Sequence, residues 1–327
     1  MPTQPASTAT DSRRDPPVNP VMRRLGRLDP ANVGFALAIL VLIVIASVMT
    51  DTFLTERNVT SMSRQLVTNG FLSLGMLLVV LTGGIDLSVG TVVAFAGLLA
   101  IGLQASMPLP AAIAVALAMG LAVGAFNGFM IAWFRLQPFI VTLATMGGLR
   151  GLLYLYSRNP LYAEDPVFRS MLGGGFVGPF PVPVLILLAT LPFIWFYLNK
   201  TTSGRAVYAI GVNAEAVRLA GIDVRIHILA TYVACGFLAA MAGVLLASRL
   251  GVAQPSVGIG YELDAIAAVV IGGGILGGGG GTVIGVVGGV IALAMVDNVL
   301  NLFNVESYYQ QFLKGVIILV AVLARRK

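Results

Sequence analysis

GFLSLGMLLVVLTGGIDLSVGTVVAFAGLLAIGL, residues 70–103, is almost unbroken apolar sequence carrying a single charge, Asp86. As one helix it would run about 51 Å at 1.5 Å per residue. The hydrocarbon core of a bilayer is only about 30 Å thick. The chain therefore has to break and turn inside the stretch, and Gly83 and Gly84 are the residues that permit it. A carboxylate beside such a break needs either hydrogen-bond donors or a polar path next to it.

The rest of the chain points the same way. Of 327 residues, 57% are hydrophobic and 10% are charged, whereas soluble domains carry about 25% charged residues. Only helices and closed barrels cross lipid, because every backbone polar group there needs an internal partner. Stretches such as FALAILVLIVIASVM, residues 35–49, lack the alternation of a barrel strand. The expected fold is an all-α, polytopic integral membrane protein. Ten segments are expected, near 33–49, 66–82, 88–106, 110–134, 138–156, 182–198, 227–248, 261–276, 282–300 and 309–324. Residues 1–30, rich in Pro, Ser, Thr and Arg, read as a disordered cytoplasmic tail, and residues 31–327 as the transmembrane domain. The first apolar run has no A-x-A-like cleavage site after it and reads as a signal anchor.

Charge placement sets an orientation. With the N-terminus inside, thirteen Lys and Arg fall in inside segments, including Arg23, Arg24, Arg27, Arg205, Arg218, Arg225 and the terminal RRK. Five fall outside: Arg57, Arg64, Arg158, Arg169 and Arg249. This bias predicts both termini in the cytoplasm. It also accounts for the net charge of +6 without a nucleic-acid partner. Two polar stretches remain, 158–181 outside and 199–226 inside. Cys235 and His227 are each the only residue of their kind, so neither a disulfide within the chain nor a metal site is expected.

Catalytic patterns are missing. There is no H-E-x-x-H, no G-x-S-x-G and no phosphate-binding G-x-x-x-x-G-K-[ST], since GGGGGTVIG lacks the lysine. Residues 209–224, AIGVNAEAVRLAGIDV, instead encode a short helix. Asn213 suits its N-cap, Glu215 its first turn and Gly221 its left-handed stop. The helix presents Ala214, Val217 and Ala220 with Arg218 beside them. Being too short to stand alone, it packs either on a cytoplasmic partner or on its own membrane domain.

Other polar residues have two readings each. Asp86 and Ser88 cap the broken connection, or they meet a substrate directly; the capping role is preferred. Glu262 and Asp264 suit a helix start near the outer interface. Gly272–Gly274 and Gly277–Gly281 imply close packing and a sharp cytoplasmic turn. Lys314 pairs with Asp297 or with Asp86. Asn127 and Asn298 bond hydroxyls or join helices. VVLTGGIDLSVGTVVAFAGLL echoes AVVIGGGILGGGGGTVIGVVGGVI, through either duplication or shared glycine richness.

TGGIDLSVG, AIGVNAEAVRLAGIDV, AQPSVGIGYELDAIAAVVIGGG and SYYQQFLKGVIILVAVL together resemble the permease subunits of bacterial monosaccharide ABC importers, the ribose permeases in particular. The likeness runs from about Thr52 to Leu323; the GGGGG run departs from it. It implies a multi-pass protein of the bacterial inner membrane that is not an enzyme and binds no cofactor of its own. ATP and Mg would sit on a partner cytoplasmic ATPase subunit. A periplasmic sugar-binding protein and a second permease copy, identical or related, would complete the complex within membrane lipid. Residues 211–223 look like the coupling helix that fits into the ATPase, and 158–181 like a contact for the binding protein. Gly83, Gly84, Asp86, Ser88, Asn127, Asp264 and Asn298 are the signature and pathway candidates. An ion-coupled secondary transporter using Asp86, Asp297 and Lys314 is the alternative.

Overall fold

The structure, a computed structural model, describes residues 40–41 and 43–324. The expected tail, 1–30, and most of the start of the first span lie outside them. The chain divides after Val41, and the helix bundle belongs to the unit from Leu42 onward.

After helical residues 43–49, ten helices succeed one another: α1 (Glu56–Leu81), α2 (Val89–Gly102), α3 (Leu109–Phe134), α4 (Pro138–Tyr156), α5 (Val182–Lys200), α6 (Thr202–Leu219), α7 (Val224–Leu250), α8 (Tyr261–Ile271), α9 (Val283–Leu302) and α10 (Ser307–Ala324). Local chemistry sets their ends. Thr55 accepts from the Asn58 amide ahead of α1, Asp223 from the Arg225 amide ahead of α7, and Thr282 from the Gly285 amide ahead of α9. Pro residues open α3, α4 and α5, where a missing N–H does no harm. Gly251 ends α7 in the left-handed conformation.

Among the described residues six helices, α1, α3, α4, α5, α7 and α9, are long and apolar enough to cross a membrane. The chain is thus a helical polytopic membrane protein. α1 begins at Glu56, ten residues before the expected start, because its first turns are polar and continue beyond the apolar run. α2, with 14 residues, and α8, with 11, are too short to span alone.

α7 is the central post, packed on α1, α2 and α3. Its contact with α3 is backbone to backbone. A Cβ added at Gly124 would collide with the Tyr232 carbonyl, and one at Gly128 would sit 2.9 Å from Leu229 Cα. Small residues at such spacing let helices approach without side chains between them. Cys235, buried, faces Gly75 of α1. Large apolar side chains such as Phe126, Phe193 and Leu155 point outward, as a lipid-facing surface requires. Trp133 and Trp195 lie near the ends of α3 and α5, with Lys200 Nζ 5.7 Å from the Trp195 ring, as at a membrane interface.

Residues 158–181, expected as a loop, contain small elements. β1 (Leu161–Tyr162) pairs antiparallel with the later β4 (Val252–Ala253), and β2 (Phe176–Val177) pairs with β3 (Phe180–Pro181). A π-helical turn, Phe168–Gly173, lies between them, and Ser248 of α7 donates to its Phe168 carbonyl.

Candidate functional site

The chain breaks after α1 where the glycines stand: Gly83 has φ +82°, and the chain stays non-helical until Val89. Asp86 is buried there, and its Oδ1 accepts from the Ser88 amide at 2.9 Å and the Ser88 hydroxyl at 2.6 Å. The capping thus differs from the expected form. Asp86 closes a short turn two residues ahead, while the Ser88 hydroxyl makes no bond to the helix amides. Asn127 Nδ2 donates to Ser88 Oγ at 3.0 Å, and Thr145 Oγ1 donates to Asn127 Oδ1 at 2.6 Å. Thr142 and Tyr232 both donate to the Ile85 carbonyl. α3, α4 and α7 therefore all hold the break. Thr142, Thr145 and Tyr232 cannot be picked out from the sequence, because single hydroxyls on apolar helices carry no pattern.

A second break lies between α8 and α9. Gly273, Gly278, Gly279 and Gly281 all have positive φ, and Gly272 abuts Gly285. The segment before α8 is also non-helical, from Gln254 to Gly260, with Arg150 Nη1 donating to the carbonyls of Pro255 (2.5 Å) and Val257 (3.1 Å). The span expected over 261–276 is thus helical only as far as Ile271, for 11 residues.

Neighbouring glycines give the relative levels. A Cβ at Gly102, the last residue of α2, would lie 3.0 Å from Leu161 of β1, and one at Gly97 would lie 3.6 Å from the Ala253 Cβ. At the other end of α2, a Cβ at Gly90 would collide with the Gly258 carbonyl and lie 2.6 Å from Glu262 Oε2. Beyond the break, a Cβ at Gly83 would be 3.4 Å from the Gly277 carbonyl. Two discontinuous spans therefore run side by side. One is helical in the half nearer β1 and β4, the other in the opposite half, and their helix N-termini meet at Gly90 and Gly258. Such interrupted spans are tolerated in a membrane only where protein or a water-filled cavity covers the bare backbone. Asp264, in the first turn of α8 as expected, is largely buried within the protein near this crossing.

The remaining charged candidates form a separate group. Lys314 Nζ lies 3.0 Å from Asp264 Oδ2 and 3.0 Å from Asp297 Oδ2, so one cation joins α8, α9 and α10. Its pairing is with these two acids and not with Asp86. Asn298 exchanges side-chain hydrogen bonds with Asn58. Asn58 and the Asp86 break flank opposite ends of α1, about 35 Å of helix apart. The structure thus brings Asp86, Ser88 and Asn127 together and places Asn298 elsewhere.

At the end of α7 that carries Asp223, α6 is interrupted. Asn213 has φ −159° and ψ 94°, and its Oδ1 accepts from the Ala216 amide at 3.0 Å. A further helical segment starts there and stops at Gly221, φ +81°. Helix α6 before the break replaces what the sequence suggests is loop. Glu215 and Arg218 form a fork at 2.5 and 2.9 Å. That bond holds the Glu215 carboxyl below its ordinary range and raises the Arg218 guanidinium. Val217 is buried, Ala214 and Ala220 are exposed, and Val212 and Leu219 stand out at 76% and 74% exposure. Of the expected Ala214, Val217 and Ala220, only Val217 is turned inward, and the large apolar side chains left exposed near them are Val212 and Leu219.

A family model described as "Branched-chain amino acid transport system / permease component" matches residues 58–322. The chain belongs to that family: it is a permease component of a transport system, an inner-membrane protein and not an enzyme. It is 42% identical over 298 residues to the ribose import permease protein RbsC of Escherichia coli (strain K12), covering 89% of this chain and 92% of the relative. It is 40% identical to the RbsC of Bacillus subtilis (strain 168), covering 90% and 92%. The D-allose transport system permease protein AlsC of Escherichia coli (strain K12) is 36% identical, over 91% and 92%. No solved structure matches.

Proposed function

We propose that this chain is the membrane-spanning permease subunit of an ATP-binding cassette importer that moves a monosaccharide, a ribose-like pentose or a hexose. The observation that carries this reading is identity near 40% over nine-tenths of the chain to permeases named for ribose import. The fold supports it. Ten spans with both termini cytoplasmic fit six full helices, the two discontinuous spans, α10 and the run at 33–49. ATP and Mg belong to a separate ATPase subunit. Residues 213–221, exposed beyond the break in α6 apart from Val217, are its docking segment.

At the far end of α7, Arg57, Arg64 and Arg249 line a cavity of about 420 Å³ with Glu56, Thr60 and Ser61. Arg64 also lies over Phe176 of β2. This end, with residues 158–181, suits the periplasmic binding protein. A cavity of about 640 Å³ between α5 and α7 does not suit the sugar, because Ile186, Phe193, Phe237 and Met241 give it apolar walls. The ion-coupled alternative has less support, since Asp86 stands apart from Lys314 and its two acids.

The test is purification of the tagged chain in mild detergent from its native host. The expected result is an ATPase subunit in the preparation, lost when residues 211–223 are replaced. Absence of an ATPase, with ion-driven uptake by the chain alone in liposomes, would overturn the proposal.

A further inference from the structure

Gly211 occupies a place that only glycine can fill. It stands two residues before the interruption of α6 at Asn213, and every residue beyond it to Asp223 is exposed apart from Val217. A Cβ at Gly211 would collide with the carbonyl of Leu81, the last residue of α1, and with the amide of Gly279 in the turn between α8 and α9. Those two groups are bonded to each other: the Gly279 amide donates to the Leu81 carbonyl at 2.9 Å. A Cβ at Gly278 would stand 2.7 Å from Gly211 Cα and 2.9 Å from the Gly83 amide. One turn earlier on α6, the Tyr208 hydroxyl donates to the Gly281 carbonyl at 2.9 Å. The end of α6, the break after α1 and the break before α9 thus meet in one junction of bare backbone.

Packed backbone with no side chains between has little slack, so displacement of one member moves the others. The exposed segment continues directly from Gly211. The two breaks continue directly into the two discontinuous spans, which cross again at Gly90 and Gly258. We infer that Gly211, with Tyr208, is the residue through which movement of the 213–221 segment reaches both discontinuous spans at once. Gly211 is a positioning residue: it touches neither sugar nor nucleotide. The inference rests on the ATP-driven importer reading, in which the 213–221 segment is what the ATPase moves.

The test compares Gly211→Ala and Tyr208→Phe with the natural chain in the full complex, reconstituted in liposomes with its ATPase and sugar-binding protein. Three quantities are read: ATPase recovered with the permease, ATP hydrolysed, and sugar taken up per ATP. For Gly211→Ala the ATPase stays bound and hydrolyses ATP, while sugar per ATP falls roughly tenfold, within the range of ordinary coupling energies. Tyr208→Phe removes one hydroxyl without adding bulk and lowers the ratio roughly fivefold, as loss of one hydrogen bond would. If Gly211→Ala does not assemble, Tyr208→Phe decides. An unchanged ratio in Tyr208→Phe with the ATPase bound would overturn this inference alone. A natural chain that brings down no ATPase would overturn the importer reading and the inference with it.

Discussion

Lys314 stands 3.0 Å from Asp264, and because Asp297 is equally near, carboxylates from two different helices share a single ammonium. Removing it strands both. Lys314→Met is expected to destabilise the protein by about 3–5 kcal/mol, the usual penalty for breaking a buried ion pair from one side. Thermal unfolding in detergent, followed by size exclusion, measures this. Adding Asp297→Asn to Lys314→Met should recover part of the loss, because one stranded charge is then gone.

Asp86 accepts both of its Ser88 bonds on one oxygen, Oδ1. An asparagine offers that same oxygen, so Asp86→Asn is expected to assemble and to keep most of its uptake. Asp86→Ala leaves the buried Ser88 donors without an acceptor and should cost about 1–3 kcal/mol for each stranded group. Sugar uptake and yield of folded protein, compared for the two variants, separate the roles. Loss of uptake in a well-assembled Asp86→Asn protein would mean that charge itself is required.

Gly124 and Gly147 make a matched pair of glycines on neighbouring helices. A Cβ on Gly124 strikes the α7 backbone at Tyr232, whereas one on Gly147 of α4 meets nothing within 4 Å. Gly124→Ala should destabilise by about 1–3 kcal/mol through overpacking. Gly147→Ala should be neutral or stabilising by up to about 1 kcal/mol, from helix propensity alone. Parallel melting curves in the same detergent test the contrast.

The Glu215–Arg218 fork predicts how ATPase retention depends on pH. The bond lowers the Glu215 carboxyl below its ordinary 4.5. What the charged pair contributes is therefore fully present above that value and is lost as pH falls through the lowered one. Recovery of the ATPase with the permease should stay flat from about pH 8 to about pH 6. A decline on raising pH within that window would point to a different group.

Much of this architecture is legible in the sequence, for physical reasons that can be traced. Asn213, Glu215 and Gly221 mark a short helix because capping depends on neighbours in the chain, and Gly83–Gly84 marks a break because length alone demands one. The interrupted span through α8 is not legible. The run from Tyr261 through the glycines after Ile271 is small and apolar enough to read as a continuous crossing, and only packing against Gly90 and Gly83 shows otherwise. The double partner of Lys314 is hidden for the same reason, since the sequence cannot say which of several acids a buried cation will meet. The exposure of Val212 and Leu219 is equally hidden, because the face a helix presents depends on what covers its other side.

Cys235 lies buried against Gly75 and is the sole thiol of the chain. The natural protein is therefore ready for spectroscopy. A cysteine placed at the exposed Val212 or Ser256 would be the one site open to a maleimide or a spin label, with no background to engineer away. A label at Ser256 would report from the non-helical part of one discontinuous span, and one at Val212 from the segment beside Gly211, each in a chain otherwise unchanged.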